Sequence, residues 1–426
     1  MLGLVYNTLI YVAAPIAFGA QLWRGLKDPA YRDRKAERFG FGARLATQQN
    51  LWIHAVSVGE VQAAAPLIRE LLKRYPQSRI VVTTGTPTGA ARVKALFPES
   101  VQHIYLPYDV RGAVKRFLDR IIPRIAIVME TEVWPNLFRE CARRRIPLVI
   151  ASARLSQKSV RGYRWLASLF KEALATDIEI AAQTQSDAER FISVGANPQR
   201  THVIGSVKFD LEIADEVRQR GRAWREQHAA NRRVWIAGST HAIEEDIVLD
   251  AQARLRATDP NALLLLVPRH PQRFAEVRQM LAVKNLAYAT RSDNAPISDR
   301  TEVVLVDTLG ELLMFYAAAD VAFVGGSLVP IGGHNLLEPA ALGIPVITGP
   351  HNFNAADTAR ELLERGAAIE VNEASELATA VLTLFTNATR RSEMIEHARD
   401  FIASNRGALQ RLLDLLATHL DPSSTR

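Results

Sequence analysis

Residues 325–350 read GGSLVPIGGHNLLEPAALGIPVITGP, and the apolar run 321–324 just before them reads as a strand. Two glycine pairs follow, then a short helix predicted to open near Asn335, then a second strand at 346–348. Glycine lets a backbone adopt positive φ and approach a ligand closely. A helix N-terminus presents unpaired N–H groups suited to a phosphate. Glu338 falls one turn into that helix, where a carboxylate can accept hydrogen bonds from a ribose diol. Glycines, His334, Asn335 and Glu338 thus crowd one strand end, where open α/β sheets bind ligands. The competing reading is that the glycines only make tight turns.

The same alternation extends through the chain. Apolar, β-branched runs at 51–56, 80–84, 125–129, 148–151 and 178–182 read as strands, with helical runs at 61–73 and 88–96 among them. Residues 210–230 are charged and helix-like, with no clear strand. Strands then resume at 234–237, 263–267 and 303–306, before the pair that flanks the glycines. Short continuous apolar strands separated by helices predict parallel sheets covered on both faces. The expected fold class is therefore α/β, with two Rossmann-like doubly wound domains facing a cleft. Their spans read as 24–209 and 231–389, joined by a connection at 210–230 and followed by a helical tail at 390–426.

A length of 426 residues is too great for one ordinary core, which agrees with two domains. Hydrophobic content of 48% against 23% charged residues excludes a disordered chain. A net charge of +7 favours an acidic partner such as a phosphorylated substrate, anionic lipid or nucleic acid. The positive residues are dispersed and no stacking-aromatic motif accompanies them, which argues against nucleic acid. The single Cys141 excludes an intrachain disulfide and a cysteine-rich metal site.

Residues 1–23 carry no charged side chain, and Arg24, Lys27, Arg32, Arg34, Lys35 and Arg38 follow. About 20 apolar residues can cross a bilayer, so this segment reads as a membrane-anchor helix. A basic flank then places the rest of the chain on the cytoplasmic side of the inner membrane. A buried or interfacial helix and a signal peptide are the alternatives.

Six further stretches carry candidate chemistry. HAVSVGE places Glu60 at a strand-to-helix turn, as a general base or as the last member of a Ser57–Glu60 capping box. METEVWPN sets Glu130 and Glu132 at a strand end, facing a ligand or supporting a helix N-terminus. GSVKFD offers Lys208 to a phosphate or carboxylate, or merely to solvent. LLLLVPRHPQRF ends a strand at Pro268 and presents Arg269 and His270, and arginine matches phosphate bidentately. GSTHAIEED offers Ser239 or Thr240 to phosphate or as a helix cap. DTLGELL predicts a helix opening after Thr308, either as a capping box or with Gly310 admitting a ligand to the first-turn amides. A Walker loop, a GxGxxG fingerprint and a metal-binding DxD pair are all missing from the sequence.

These motifs, in this order, resemble the bacterial 3-deoxy-D-manno-octulosonic acid (Kdo) transferases of lipopolysaccharide biosynthesis. The resemblance runs through RKAERFG, HAVSVGE, VTTGTPTGAARV, LPYDV, METEVWPNL, GSVKFD, VPRHPQRF, FVGGSLV and GGHNLLEPAALGIPVITGPHNFN. It implies a GT-B, inverting, metal-independent glycosyltransferase without a cofactor. The implied donor is CMP-Kdo and the implied acceptor is the tetraacyl disaccharide bisphosphate precursor of lipid A. It further implies Glu60 as proton acceptor, with Glu130 and Lys208 stabilising the transition state. CMP-binding segments are implied at Pro268 and Arg269, at Leu309, Gly310 and Glu311, and at Asn335, Leu336, Leu337 and Glu338. A heptosyltransferase, a nucleotide-sugar epimerase or a membrane-tethered nucleotide-binding module are the rival readings. Exposed basic residues between Arg24 and Arg44 are expected to dock the acceptor.

Overall fold

A computed structural model describes residues 2–26, 28–45, 49–155, 174, 178–211, 213–294 and 296–421, with the backbone alone for 2–5. Lys27 of the basic run lies outside the described residues. The chain divides into two compact units, Met1–Asp210 with Asn405–Arg426, and Leu211–Ser404.

Among the described residues, seven strands build the first sheet: β1 (Asn50–His54), β2 (Arg79–Thr84), β3 (Val101–Tyr105), β4 (Pro123–Met129), β5 (Leu148–Ala153), β6 (Ile178–Ala182) and β7 (Thr201–Val203). They are ordered β3-β2-β1-β4-β5-β6-β7, and every pairing is parallel. The second unit holds β8 (Arg233–Thr240), β9 (Ala262–Pro268), β10 (Tyr288–Thr290), β11 (Val303–Leu305), β12 (Val321–Val324), β13 (Val346–Thr348) and β14 (Ala368–Glu370). Their order is β10-β11-β9-β8-β12-β13-β14, again wholly parallel. Each sheet has one point where the winding reverses, between β1 and β4 in the first and between β8 and β12 in the second. Parallel sheets need helices on both faces, and each sheet accordingly has two apolar clusters, one per face. The order β3-β2-β1-β4 and its extension is the Rossmann winding, and two such units in one chain make the GT-B class.

Two domain boundaries differ from expectation. Residues 210–230 are not a free connection, because helix Asp215–Ala229 belongs to the second unit and stacks Trp224 edge-on against Phe315. The tail is not one element either. Helix Ala388–Asn405 lies almost wholly in the second unit, whereas helix Ala408–Leu420 returns to the first. There Leu412, Leu413 and Leu416 join the apolar cluster that also holds Leu67 and Ile68. Asp210 fixes that return, since its carboxylate accepts hydrogen bonds from the Gly407 and Leu409 amides. An apolar stripe and a capping carboxylate nearly 200 residues away explain why a tail read from periodicity alone looked independent.

The N-terminal segment expected as a membrane anchor is helical. Residues Leu2–Arg24 do form one helix, but among the described residues no helix is long and apolar enough to cross a membrane. Asn7, Thr8 and Gln21 dilute its apolar character. The helix docks on the first unit. Tyr6 Oη donates to Asp109 Oδ2 at 2.6 Å, Asn136 Nδ2 donates to Asn7 Oδ1 at 2.9 Å, and Tyr108 Oη donates to Gln21 Oε1 at 3.0 Å. The basic flank is partly structural too. Arg38 is buried, donates to the carbonyls of Leu106 and Gly85, and stacks over the Tyr105 ring. Arg34 is held by Glu37 and the His103 carbonyl. Neither is a free docking charge.

Candidate active site

The first switch point positions three of the expected catalytic side chains. β1 ends at His54, and helix Val58–Arg74 begins after Ser57, whose Oγ accepts from the Glu60 amide at 3.4 Å. Glu60 reaches back so that Oε2 accepts from the Val56 amide at 2.7 Å. The capping geometry is thus real, displaced by one residue from the usual box, and it locks the carboxylate in place without consuming both oxygens. Burial pushes the Glu60 carboxyl up to about 7, with Glu130 and Glu132 adding repulsion and Lys208 opposing it. A carboxylate in that range is suited to take a proton near neutral pH.

β4, the neighbour of β1 across the switch point, delivers Glu130. Glu130 sits at φ 58°, in the left-handed region, although it is not a glycine. Its amide still bonds the Ala151 carbonyl at 2.9 Å, so the chain turns sharply while the sheet ladder continues. Backbone strain of this kind is kept where the surrounding structure fixes it, and it clusters at functional sites. Glu130 Oε1 accepts from Lys208 Nζ at 2.8 Å. Lys208 rides on the 3-10 turn Val207–Phe209, whose flanking Val207 and Phe209 are buried and so hold the ammonium at the strand ends. Glu60, Glu130, Glu132 and Lys208 therefore share one electrostatic neighbourhood. Burial raises Glu132 as well.

The second switch point differs from expectation in one important way. The amides of Gly326, Ser327 and Leu328 do not stand open to a phosphate. Glu244, a fully buried carboxylate, accepts from the amides of Gly326 (2.7 Å), Ser327 (3.1 Å) and Leu328 (3.0 Å) and from that of His241 (3.2 Å). The Gly332 and Gly333 amides bond back to the Gly326 carbonyl. An internal carboxylate thus holds the amides that follow the first glycine pair, and it buckles the β8 loop to the β12 loop. Ser239 and Thr240 do not cap the next helix, which opens at Glu244 after Ile243. Thr240 Oγ1 instead contacts Glu245 at 3.4 Å.

The implied nucleotide segments fall in this unit. Pro268 ends β9, and the Arg269 amide bonds the Thr240 carbonyl at 2.9 Å, leaving the Arg269 side chain exposed. Leu309 is 72% exposed beside Gly310 at φ 82°. Glu311 is engaged by Arg291 through two hydrogen bonds and by Thr308 Oγ1, and hydrogen bonding by Arg291 lowers its carboxyl. The helix expected after Thr308 opens at Leu312. The helix expected near Asn335 opens at Leu337. Asn335 Oδ1 accepts from the Leu337 amide at 3.1 Å, and its Nδ2 donates to Glu338 at 3.2 Å. Leu336 and Leu337 are buried beneath it.

Three histidines gather at the same end of the sheet. His241 follows β8, His270 follows β9, and His334 lies in the loop after β12. His241 Nε2 and His334 Nε2 are 2.8 Å apart with rings 5° from parallel and centroids 5.1 Å apart, and His270 stands edge-on to His241 at 5.3 Å. The sequence showed His334 and His270 in motifs, but nothing in the spacing paired either with His241. Among the described residues no group of three or more His, Cys, Asp or Glu side chains is arranged to hold a metal ion.

The family model described as 3-deoxy-D-manno-octulosonic-acid transferase matches residues 33–211, and that of glycosyl transferases group 1 matches 222–401. A 3-deoxy-D-manno-octulosonic acid transferase of Haemophilus influenzae is 42% identical over 419 residues, 98% of each chain. The chain belongs to the 3-deoxy-D-manno-octulosonic acid transferases. A second such transferase, from Bordetella pertussis, is 42% identical over 97% of this chain and 98% of its own. The solved UDP-GlcNAc 2-epimerase of Neisseria meningitidis covers 87% of this chain and all of its own at a TM-score of 0.57 and 13% identity, a likeness of fold alone. This Kdo transferase is accordingly a glycosyltransferase, and its two family segments coincide with its two sheets.

Proposed function

We propose that the enzyme transfers Kdo from CMP-Kdo to the tetraacyl disaccharide bisphosphate precursor of lipid A, with inversion at the anomeric carbon. The single observation that carries this reading is Glu60: a carboxylate fixed at the β1 end, raised to about 7 by burial, with a lysine–glutamate pair beside it. In this mechanism an acceptor hydroxyl attacks the anomeric carbon from the face opposite the nucleotide. Glu60 takes the hydroxyl proton, the bond from that carbon to the phosphate oxygen breaks, and CMP leaves with the electron pair. Lys208, released in part from Glu130, balances negative charge as it develops. Arg269 and the Asn335–Glu338 segment hold the nucleotide, with Pro268 and the Leu309–Gly310 turn shaping its pocket. CMP is a good leaving group, so the step requires no metal.

The acceptor carries acyl chains, and we infer that the enzyme meets it at the inner membrane, on the cytoplasmic side. Helix Leu2–Arg24 lies in the interface rather than across the bilayer in this reading. Leu9, Val12, Ile16 and Trp23 form an exposed stripe at helical spacing, while Asn7 and Ala14 are buried against the unit. Such one-sided helices seat their apolar face among headgroups. Purified enzyme given CMP-Kdo and the tetraacyl precursor in detergent with EDTA, and read by mass spectrometry, tests the reading. The expected product is heavier by whole Kdo units. A folded enzyme that binds CMP yet yields no such product overturns the donor or acceptor assignment. Co-sedimentation with anionic vesicles, lost on Ile16→Glu, tests the helix.

A further inference from the structure

The Nε2 atoms of His241 and His334 lie 2.8 Å apart, which one N–H···N hydrogen bond explains and two N–H groups head to head do not. One ring donates and the other accepts. When neutral, the two rings hold two protons on four nitrogens: the shared one, and one on the outer Nδ1 of the accepting ring. A third proton fits on the other Nδ1, giving a cation with two outward N–H donors and the shared bond intact. A fourth would break the bond. The pair is therefore built to carry one charge at most, and the two rings titrate as a unit.

Its surroundings are cationic. From the β9 end come Arg269, His270 and Arg273; from the β8 loop comes His241 itself, together with Glu244 and Glu245. The two carboxylates do not offset that charge at the rings. Glu244 is committed to four backbone amides, and Glu245 to Arg273 at 3.0 Å. Burial, reinforced by Arg269 and the neighbouring histidines, lowers His334 to about 4, and burial lowers His241 as well. Gly326 makes the pair possible: at φ 70°, a Cβ there would lie 3.1 Å from the His334 ring.

We propose that His241 and His334 form a one-proton site that becomes charged as the phosphodiester of the nucleotide-sugar donor binds, completing with Arg269 the anion pocket of the second unit. This rests on the cytidylyl-donor reading above. Donor binding is then coupled to proton uptake, and the charge is present only while an anion is there to balance it. Both histidines are positioning residues: they place and compensate the phosphate and exchange no proton with the reacting carbon.

Titration calorimetry on the full-length enzyme tests the proposal, with the methyl ester of CMP as probe. That diester does not titrate near neutrality and carries the same linkage charge as a CMP-sugar. Run at pH 6 in buffers of different ionisation enthalpy, wild type is expected to take up about one proton per ligand, with affinity tightening about tenfold between pH 7 and pH 6. His241→Gln and His334→Gln are each expected to abolish the uptake and flatten the pH dependence. At pH 8, where the free pair is neutral, both are expected to bind within about threefold of wild type, which separates lost charge from lost fold. His270→Gln is expected to keep the uptake, and cytidine to cause none. Binding of the ester without uptake in wild type, or with uptake unchanged in both variants, overturns the proposal while leaving the donor reading intact. No binding of the ester to wild type overturns the donor reading and the proposal with it.

Discussion

The two switch points use the same physical cause to opposite chemical ends. In the first unit burial acts on carboxylates and drives Glu60 up to about 7, so a normally acidic group becomes a base near neutrality. In the second unit burial acts on imidazoles and drives His334 down to about 4, so a normally half-charged group stands neutral. Desolvation disfavours whichever form is charged. The partners differ in step with this. Glu60 has acidic neighbours and one lysine, whereas the histidine pair has arginines and a carboxylate already consumed by amides. The lesson is that one fold, used twice, turns the same burial to different ends by the residue types placed at equivalent strand ends, and the proposed mechanism assigns proton removal to the first and anion binding to the second.

Substitutions that cross this division should break it in graded ways. Glu60→Gln keeps the acceptor oxygen for the Val56 amide but cannot take a proton. It is expected to lower kcat about 10³-fold while leaving affinity for CMP methyl ester unchanged. A parallel loss of nucleotide affinity would mean that the two units do not divide the work. Lys208→Ala removes the cation paired with Glu130, and kcat is expected to fall about 10²-fold. An unchanged kcat would reduce the ion pair to a structural contact. In the second unit, Arg269→Ala is expected to weaken ester binding by about tenfold, the scale of one charge-assisted hydrogen bond. A kcat loss at saturating donor, with affinity intact, would move Arg269 into the chemical step.

The smallest effect concerns stability, and its sign is informative. Glu60 binds its proton more tightly folded than unfolded, so its contribution favours folding at low pH and is lost as pH rises through about 7. Above that pH the buried charge opposes folding. Glu60→Gln is expected to raise Tm by about 2–4 °C at pH 8 and by less at pH 5. A fall in Tm at pH 8 would show that the ionised carboxylate is well compensated in place.

The sequence made the interior of both sheets legible and left their rims unread. Every strand with a continuous apolar run was located within a few residues. The four strands without one, β3, β7, β10 and β14, are the four sheet edges. All four are incompletely buried, unlike the equally short but fully buried β11 and β13, so none carries the uninterrupted apolar pattern of a central parallel strand. The site divided in the same manner. Glu60, Glu130 and Lys208 each stood in a motif, and the structure brings them into one neighbourhood. The Glu244 nest was not legible because a glycine-rich loop reports that the backbone turns tightly, not which carboxylate its amides hold. The His241–His334 pair depends on two loops 93 residues apart, and no local spacing encodes it. In the N-terminal segment the lack of charge was legible but the docking contacts were not: Tyr6 and Asn7 commit one face to Asp109 and Asn136.

The proposed mechanism depends most directly on Glu60 as the base. The decisive measurement is kcat against pH, with donor and acceptor both saturating, for wild type and Glu60→Gln. Saturation removes any proton linked to donor binding. Wild type is expected to gain activity with rising pH through a single ionisation near 7, and the residual activity of Glu60→Gln is expected to show no such limb. An acid limb that survives unchanged in the variant would contradict the account and assign the proton to another group.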